Sequence, residues 1–268
     1  MTGISTPMAW VRPPRKTQVH HDRWQGGMPE NVLEAQARLV WDPYSADLFI
    51  ALGRELSRAG LFREAIDVYS RAIALDPSNY LLFRHRGHRY ISTMRYPEAV
   101  ADLKWAAALK DDHWDTLYHL GLAYYLSGDF DLAAQAYCDC LSVTDAEEHL
   151  PAVVDWYYLT LMRLGCREEA MAVAQLVGPE TEAGENEPYK QRILVYRGLK
   201  TAEELLESLP AGDDHMYCTG AFGIAMEYYF RGQGDKAREL LAEITSRQAA
   251  WYGFASLAAV EEEKRLRF

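Results

Sequence analysis

From Ala46 onward the apolar positions recur three and four residues apart, in two short runs broken by a turn. Phe49, Leu52, Gly53 and Leu56 fall on one side of the first run. After Gly60, Phe62, Ala65, Ile66, Tyr69, Ala72 and Ile73 form the stripe of the second. This spacing predicts two amphipathic helices over 46–79, packed antiparallel through their apolar faces. The pattern returns twice. Over 80–113 it reads Phe83, Gly87, Tyr90, Tyr96, Ala99 and Ala106. Over 114–147 it reads Leu117, Leu120, Gly121, Tyr124, Gly128, Phe130, Ala133, Tyr137 and Cys140. Gly53, Gly87 and Gly121 stand 34 residues apart, as do Ala65, Ala99 and Ala133, Pro43 and Pro77, and Asp111 and Asp145. A shared period across small, aromatic and turn positions predicts an array of helical hairpins, in which each unit buries its stripe against its neighbours.

These residues resemble the tetratricopeptide repeat family. Its pattern sets a large residue at position 4 of each unit, Leu-Gly at 7–8 and Tyr at 11. Gly follows at 15, an aromatic at 17, Ala at 20, an aromatic at 24, Ala at 27 and Pro at 32. The second unit departs from it with Arg86 before Gly87 and with Met94 where Gly is usual. The resemblance implies an all-α, right-handed superhelix of about six hairpins, specific over 46–147 and degenerate over 148–246. It also implies that the first helix of each unit lines a concave groove.

Outside the three regular units the pattern loosens. Pro7, Pro13, Pro14 and the Gly26-Gly27 pair oppose helix, so residues 1–28 read as an extended arm with Trp10 and Trp24 as apolar anchors. Pro29 opens a helix that stops at Trp41-Asp42-Pro43, the second half of a truncated unit within a repeat domain over 29–268. Gly165 follows Gly128 by 37 residues, a slip of three, and Tyr158 replaces the close-contact Gly, which predicts a wider helix pair. Residues 178–188 form an acidic stretch. Thr201 and Glu204 have capping-box spacing at the start of a short helix. A last unit covers 217–245, and residues 247–268 read as a terminal helix, apolar first and then charged, suited to a solvated end cap.

Charge narrows the function. The net charge is −11, but residues 1–28 carry four basic residues against Asp22 alone, net +3, leaving −14 for the body. An acidic body excludes phosphate-backbone binding as the main task, so no nucleic acid is expected. No apolar run spans a bilayer and no leader pattern is present, so the chain reads as cytoplasmic and without membrane contact. The four cysteines include no C-x-x-C pair, and the arginines around His85 and His88 oppose a cation; His20-His21-Asp22 is no stronger as a metal site. No phosphate loop, nucleophile elbow or dinucleotide fingerprint appears, so no catalytic residue and no cofactor is expected.

Mapped onto the groove positions that the resemblance implies, the residues are Arg54 and Arg58, then Arg84 and His88, then Asp115, Tyr118 and Tyr125. Asp155, Met162 and Arg163 follow, then Phe222, Met226, Tyr229 and Phe230. One end is thus basic and the other rich in aromatics and Met. The expected function is a non-enzymatic interaction module or scaffold that grips a peptide or partner segment, acidic and aromatic in character, with self-association as a companion. A peptide-sensing regulator and a helical-hairpin enzyme are the rivals. Ile50, Arg54, Tyr118 and Leu122 stand where cochaperone relatives grip a terminal carboxylate, so that clamp is absent.

Overall fold

A computed structural model describes residues 27–266, and the expected arm lies outside the described residues apart from Gly27 and Met28. Among the described residues the chain is all-α. A lone helix α1 (Glu30–Trp41) precedes six helical pairs. These are α2 (Ala46–Arg58) with α3 (Phe62–Leu75), α4 (Tyr80–Ser92) with α5 (Tyr96–Leu109), and α6 (Trp114–Ser127) with α7 (Phe130–Val143). Then come α8 (Leu150–Arg163) with α9 (Arg167–Ala174), α10 (Glu187–Tyr196) with α11 (Ala202–Ser208), and α12 (Asp214–Phe230) with α13 (Gly234–Ser246). A final helix α14 (Phe254–Leu266) closes the chain. Most helices pack mainly on their sequence neighbours, as expected of a solenoid built by addition, whereas α10 packs mainly on α8 and α12.

Local chemistry sets the helix starts. Ser45, Asn79 and His113 stand at equivalent positions one period apart, and each accepts a hydrogen bond from a backbone N–H in the first turn of α2, α4 or α6. Each satisfies a donor that the helix itself leaves open. Thr201 and Glu204 form the expected reciprocal capping box on α11. Within the pairs, the repeated glycines receive side chains sixteen residues on. A Cβ on Gly53 would overlap the Tyr69 ring, and one on Gly121 would lie 2.7 Å from Tyr137. Tyr69 and Tyr137 are both buried and fill the space that the glycines leave.

Two loose segments are more ordered than their composition implies. The acidic stretch is pinned down: Gly178 N–H donates to Thr181 at 2.9 Å, Lys190 to the Thr181 carbonyl at 3.1 Å, and Asn186 to the Glu148 carbonyl at 2.9 Å. Thr181 and Ala183 are buried within it. Tyr158 is buried and aims at α10, where its ring stacks on Tyr196 at 4.2 Å and 7°.

The larger departure is at the C-terminus. The expected solvated cap does cover α12 and α13, but it also runs back across the first helices of earlier pairs. Phe254 meets His88 of α4 and both Tyr118 and His119 of α6. Arg265 donates to the Leu126 carbonyl of α6. Glu262 is fully buried and ion-paired with Arg163 of α8 at 3.2 Å. Trp251 and Tyr252, just before α14, pack edge-on to Phe62 of α3. A helix whose buried carboxylate finds Arg partners is not confined to an end, and the charges of 261–266 serve packing as well as solvation.

Candidate functional site

The inner face, built by the first helix of each pair, is divided by this C-terminal segment. Its later half is closed. Tyr118 is buried against Phe254, and Tyr125 is buried edge-on to Trp156 and Phe130. Phe222 and Met226 are fully buried, Phe222 against Trp156. Asp155 is also fully buried and ion-paired with Arg192 of α10 at 2.7 Å, while Tyr196 donates to it at 3.0 Å. These five residues therefore do not line an open groove, which corrects the aromatic and Met-rich half of the expected surface. The reason is tertiary: the short pair α10–α11 wedges Arg192 between α8 and α12, and α14 covers α6.

Met162, Arg163 and Tyr229 keep some access. With Arg167 and Phe230 they border a cavity of about 370 Å³. Arg163 is committed within it, to Glu262 and to the faces of Phe130 and Tyr229. Arg167 is committed to the Phe230 carbonyl at 2.8 Å.

The basic half remains open. A cavity of about 400 Å³ is lined by Arg54, Ser57 and Arg58 of α2, Tyr69 of α3, and Arg84, His85, His88 and Arg89 of α4, with Asp115 of α6 at its floor. All four basic positions expected at this end, Arg54, Arg58, Arg84 and His88, are brought together here. The pattern did not single out His85 and Arg89, because neither occupies a groove position of a regular repeat. Helical phase was the available signal: Arg89 follows His85 by four and His88 follows it by three, so they share one side of α4.

The electrostatics are those of crowded positive charge. Arg84 is ion-paired with Asp115 and donates to His85 Nδ1 at 2.9 Å. A guanidinium only donates, so Nδ1 of His85 is the acceptor and its proton sits on Nε2. Burial, with the Arg84 charge beside it, pushes His85 down to about 3. His88 lies 4.4 Å from the His119 ring and is pushed well down by burial and then by Arg89. Burial also lowers His119, whose Nδ1 donates to the Asp115 carbonyl at 2.6 Å. Arg89 lies over the Phe62 ring at 5.1 Å and is pushed down to about 10 by burial, with Arg84 adding to the effect. Burial alone would raise the Asp115 carboxyl, but His119 and Arg84 outweigh it and hold the group well below the usual range.

Asp115 is bound up with Arg84 and His119, and no group of three His, Cys, Asp or Glu converges as metal ligands among the described residues. Nor is any helix among them long and apolar enough to cross a membrane.

Family models described as tetratricopeptide repeat match residues 46–79 and 85–139, over the three most regular pairs. Over these residues the chain carries tetratricopeptide repeats. Among curated relatives, it is 37% identical over 107 residues to the Hsp70-Hsp90 organizing protein of Triticum aestivum, covering 40% of this chain and 18% of that one. It is 27% identical over 139 residues to the BBSome complex member BBS4 of Bos taurus, covering 52% of this chain and 27% of that one. The chain thus spans well under two thirds of the relatives it matches. Among solved structures, YrrB, described as a repeat protein with an unusual peptide-binding site, aligns with a TM-score of 0.51 at 15% identity, over 86% of this chain and 97% of that one. The Cut9-Hcn1 assembly aligns at 0.57 and 16% identity, over 86% of this chain and 45% of that one. At these identities the structural likeness concerns the repeat fold alone.

Proposed function

We propose that this repeat protein is a non-enzymatic interaction module whose inner face takes an acidic segment of another protein. The observation that carries the reading is the open cavity of Arg54, Arg58, Arg84 and Arg89 with a single carboxylate at its floor, in a chain of net charge −11. Local positive charge of this density, kept inside an acidic body, favours an anionic side chain and disfavours the rest of the surface as its competitor. Packed helices hold the lining residues in place, so a bound segment bears most of the ordering cost. The relationship to an organizing protein of two chaperones supports a protein partner in kind, over the aligned repeats.

Arg163, Met162 and Tyr229 border a second recess beyond the C-terminal segment, and a partner long enough to pass that segment would reach it. The test is a fluorescent peptide library of mixed Asp and Glu content, titrated against the full chain and against Arg54→Glu combined with Arg58→Glu. Both side chains are exposed, so the exchange leaves the core intact. Binding that tracks peptide acidity and is lost in the variant supports the reading. Equal binding of neutral and acidic peptides, or equal binding by the variant, overturns it.

A further inference from the structure

The charges around the basic cavity do not cancel, and the remainder has a definite size. Arg58 is paired with Glu55 on its own helix, and Arg84 with Asp115. Arg54 and Arg89 have no carboxylate within ion-pair distance among the described residues, although both line the cavity. Arg89 is the more demanding of the two, because it is partly withdrawn from water and rests on the Phe62 ring. A ring face attracts a guanidinium but does not neutralise it. Two positive charges are therefore left facing one cavity of about 400 Å³. Beside them, the Nε2 proton of His85 is a further neutral donor, fixed there because Arg84 occupies Nδ1.

A single carboxylate would neutralise one of the two cations and leave the other unpaired. A phosphomonoester carries about −1.5 to −2 at neutral pH and three strong acceptor oxygens, which matches two guanidinium groups at once. We propose that the cavity takes a phosphorylated side chain of the partner segment, with Arg54 and Arg89 as its charge partners. This rests on the reading of the inner face as a site for a protein segment, and adds the chemical class of the group that anchors it. Arg54 stands at the exposed rim and Arg89 deeper in, so the phosphoryl group enters past the former to reach the latter. The Tyr69 ring stacks on His85 at 5.6 Å and 13°, holding the imidazole in place.

The experiment uses the full chain and three probes followed by calorimetry: a Gly-Ser heptapeptide with one central phosphoserine, the same peptide with glutamate there, and inorganic phosphate. The expected result is at least about tenfold tighter binding of the phosphopeptide than of the glutamate peptide, the second negative charge meeting a second cation. Arg54→Gln and Arg89→Gln should each weaken the phosphopeptide by about tenfold and remove most of that preference. Arg54 is exposed, so its variant reports on binding even if the Arg89 variant alters folding. Equal affinity for the phosphoserine and glutamate peptides overturns the proposal. So does inorganic phosphate binding as tightly as the phosphopeptide, which would make the site one for the free ion. Acidic library peptides that bind while phosphoserine gives no advantage would remove this proposal and leave the interaction reading standing. Failure of acidic and phosphorylated peptides alike would remove both.

Discussion

The buried carboxylate of Glu262 lies 3.2 Å from Arg163, which ties the last helix to the fourth hairpin, and Arg265 of the same helix sits at the same distance on its other side. A carboxylate without exposure that loses both partners is costly, and so is a guanidinium pair that loses its carboxylate. Glu262→Ala should therefore lower stability by about 3 kcal/mol in urea unfolding. It should also release 251–266 to limited proteolysis before the rest of the chain. A loss below about 0.5 kcal/mol, with no early cleavage, would show that the C-terminal segment is held by its apolar contacts alone.

Gly53 and Tyr69 interlock, because the ring occupies the place of the missing Cβ. Gly53→Ala should cost about 1–3 kcal/mol by overpacking, even though Ala is the better helix former. Combining it with Tyr69→Leu should cost less than the two single changes added together, since Leu clears the ring's volume. Strict additivity in thermal unfolding would count against the interlock.

Met94 has φ of 59° at the turn between α4 and α5, where the other regular pairs have Gly60 and Gly128 at 75° and 89°. A left-handed conformation costs a residue with a Cβ about 1 kcal/mol. Replacing Met94 by Gly and by Ala removes the same packing in each case. The Gly variant should therefore be the more stable of the two by about 1 kcal/mol. Equal stability in denaturant titration would show that the turn relaxes in the Ala variant.

The three inner-face histidines should make the fold acid-sensitive. Burial lowers His85 to about 3 and also lowers His88 and His119, whereas an unfolded chain protonates them near 6.5. Their contribution is thus fully present above pH 6.5 and is lost as pH falls toward the folded values. Each is worth at most ~1.4 kcal/mol per pH unit. Asp155 acts the other way. Burial raises it to about 7, so its contribution is present at low pH and is lost as pH rises through that value. The three histidines outnumber it, so stability should fall as pH drops from 6 to 4. His119→Gln should flatten that slope in stability measured across the range, and an unchanged slope would place the acid sensitivity elsewhere.

The three regular hairpins were legible because their signals are local. A stripe with spacings of three and four needs only the helix geometry, and a period of 34 needs only that neighbouring units pack alike. The groove positions that the family resemblance implies placed Arg54, Arg58, Arg84 and His88 on one surface. Arg89 escaped them because its role depends on Phe62 from another hairpin and on how little carboxylate lies nearby. Tyr118, Tyr125, Asp155, Phe222 and Met226 fall at groove positions because a regular array leaves its inner face free, and this one does not.

Composition and periodicity by themselves determined the helices and their pairing in sequence, and the family resemblance added the basic character of one end. The first two follow from each residue's own geometry and from contacts between adjacent units. Only the tertiary structure decided what covers the inner face. Neither the Arg163–Glu262 pair nor the packing of Phe254 on His88 leaves any period in the sequence. Each joins segments far apart in the chain, and such a contact is selected by shape and charge in three dimensions, where no local pattern records it.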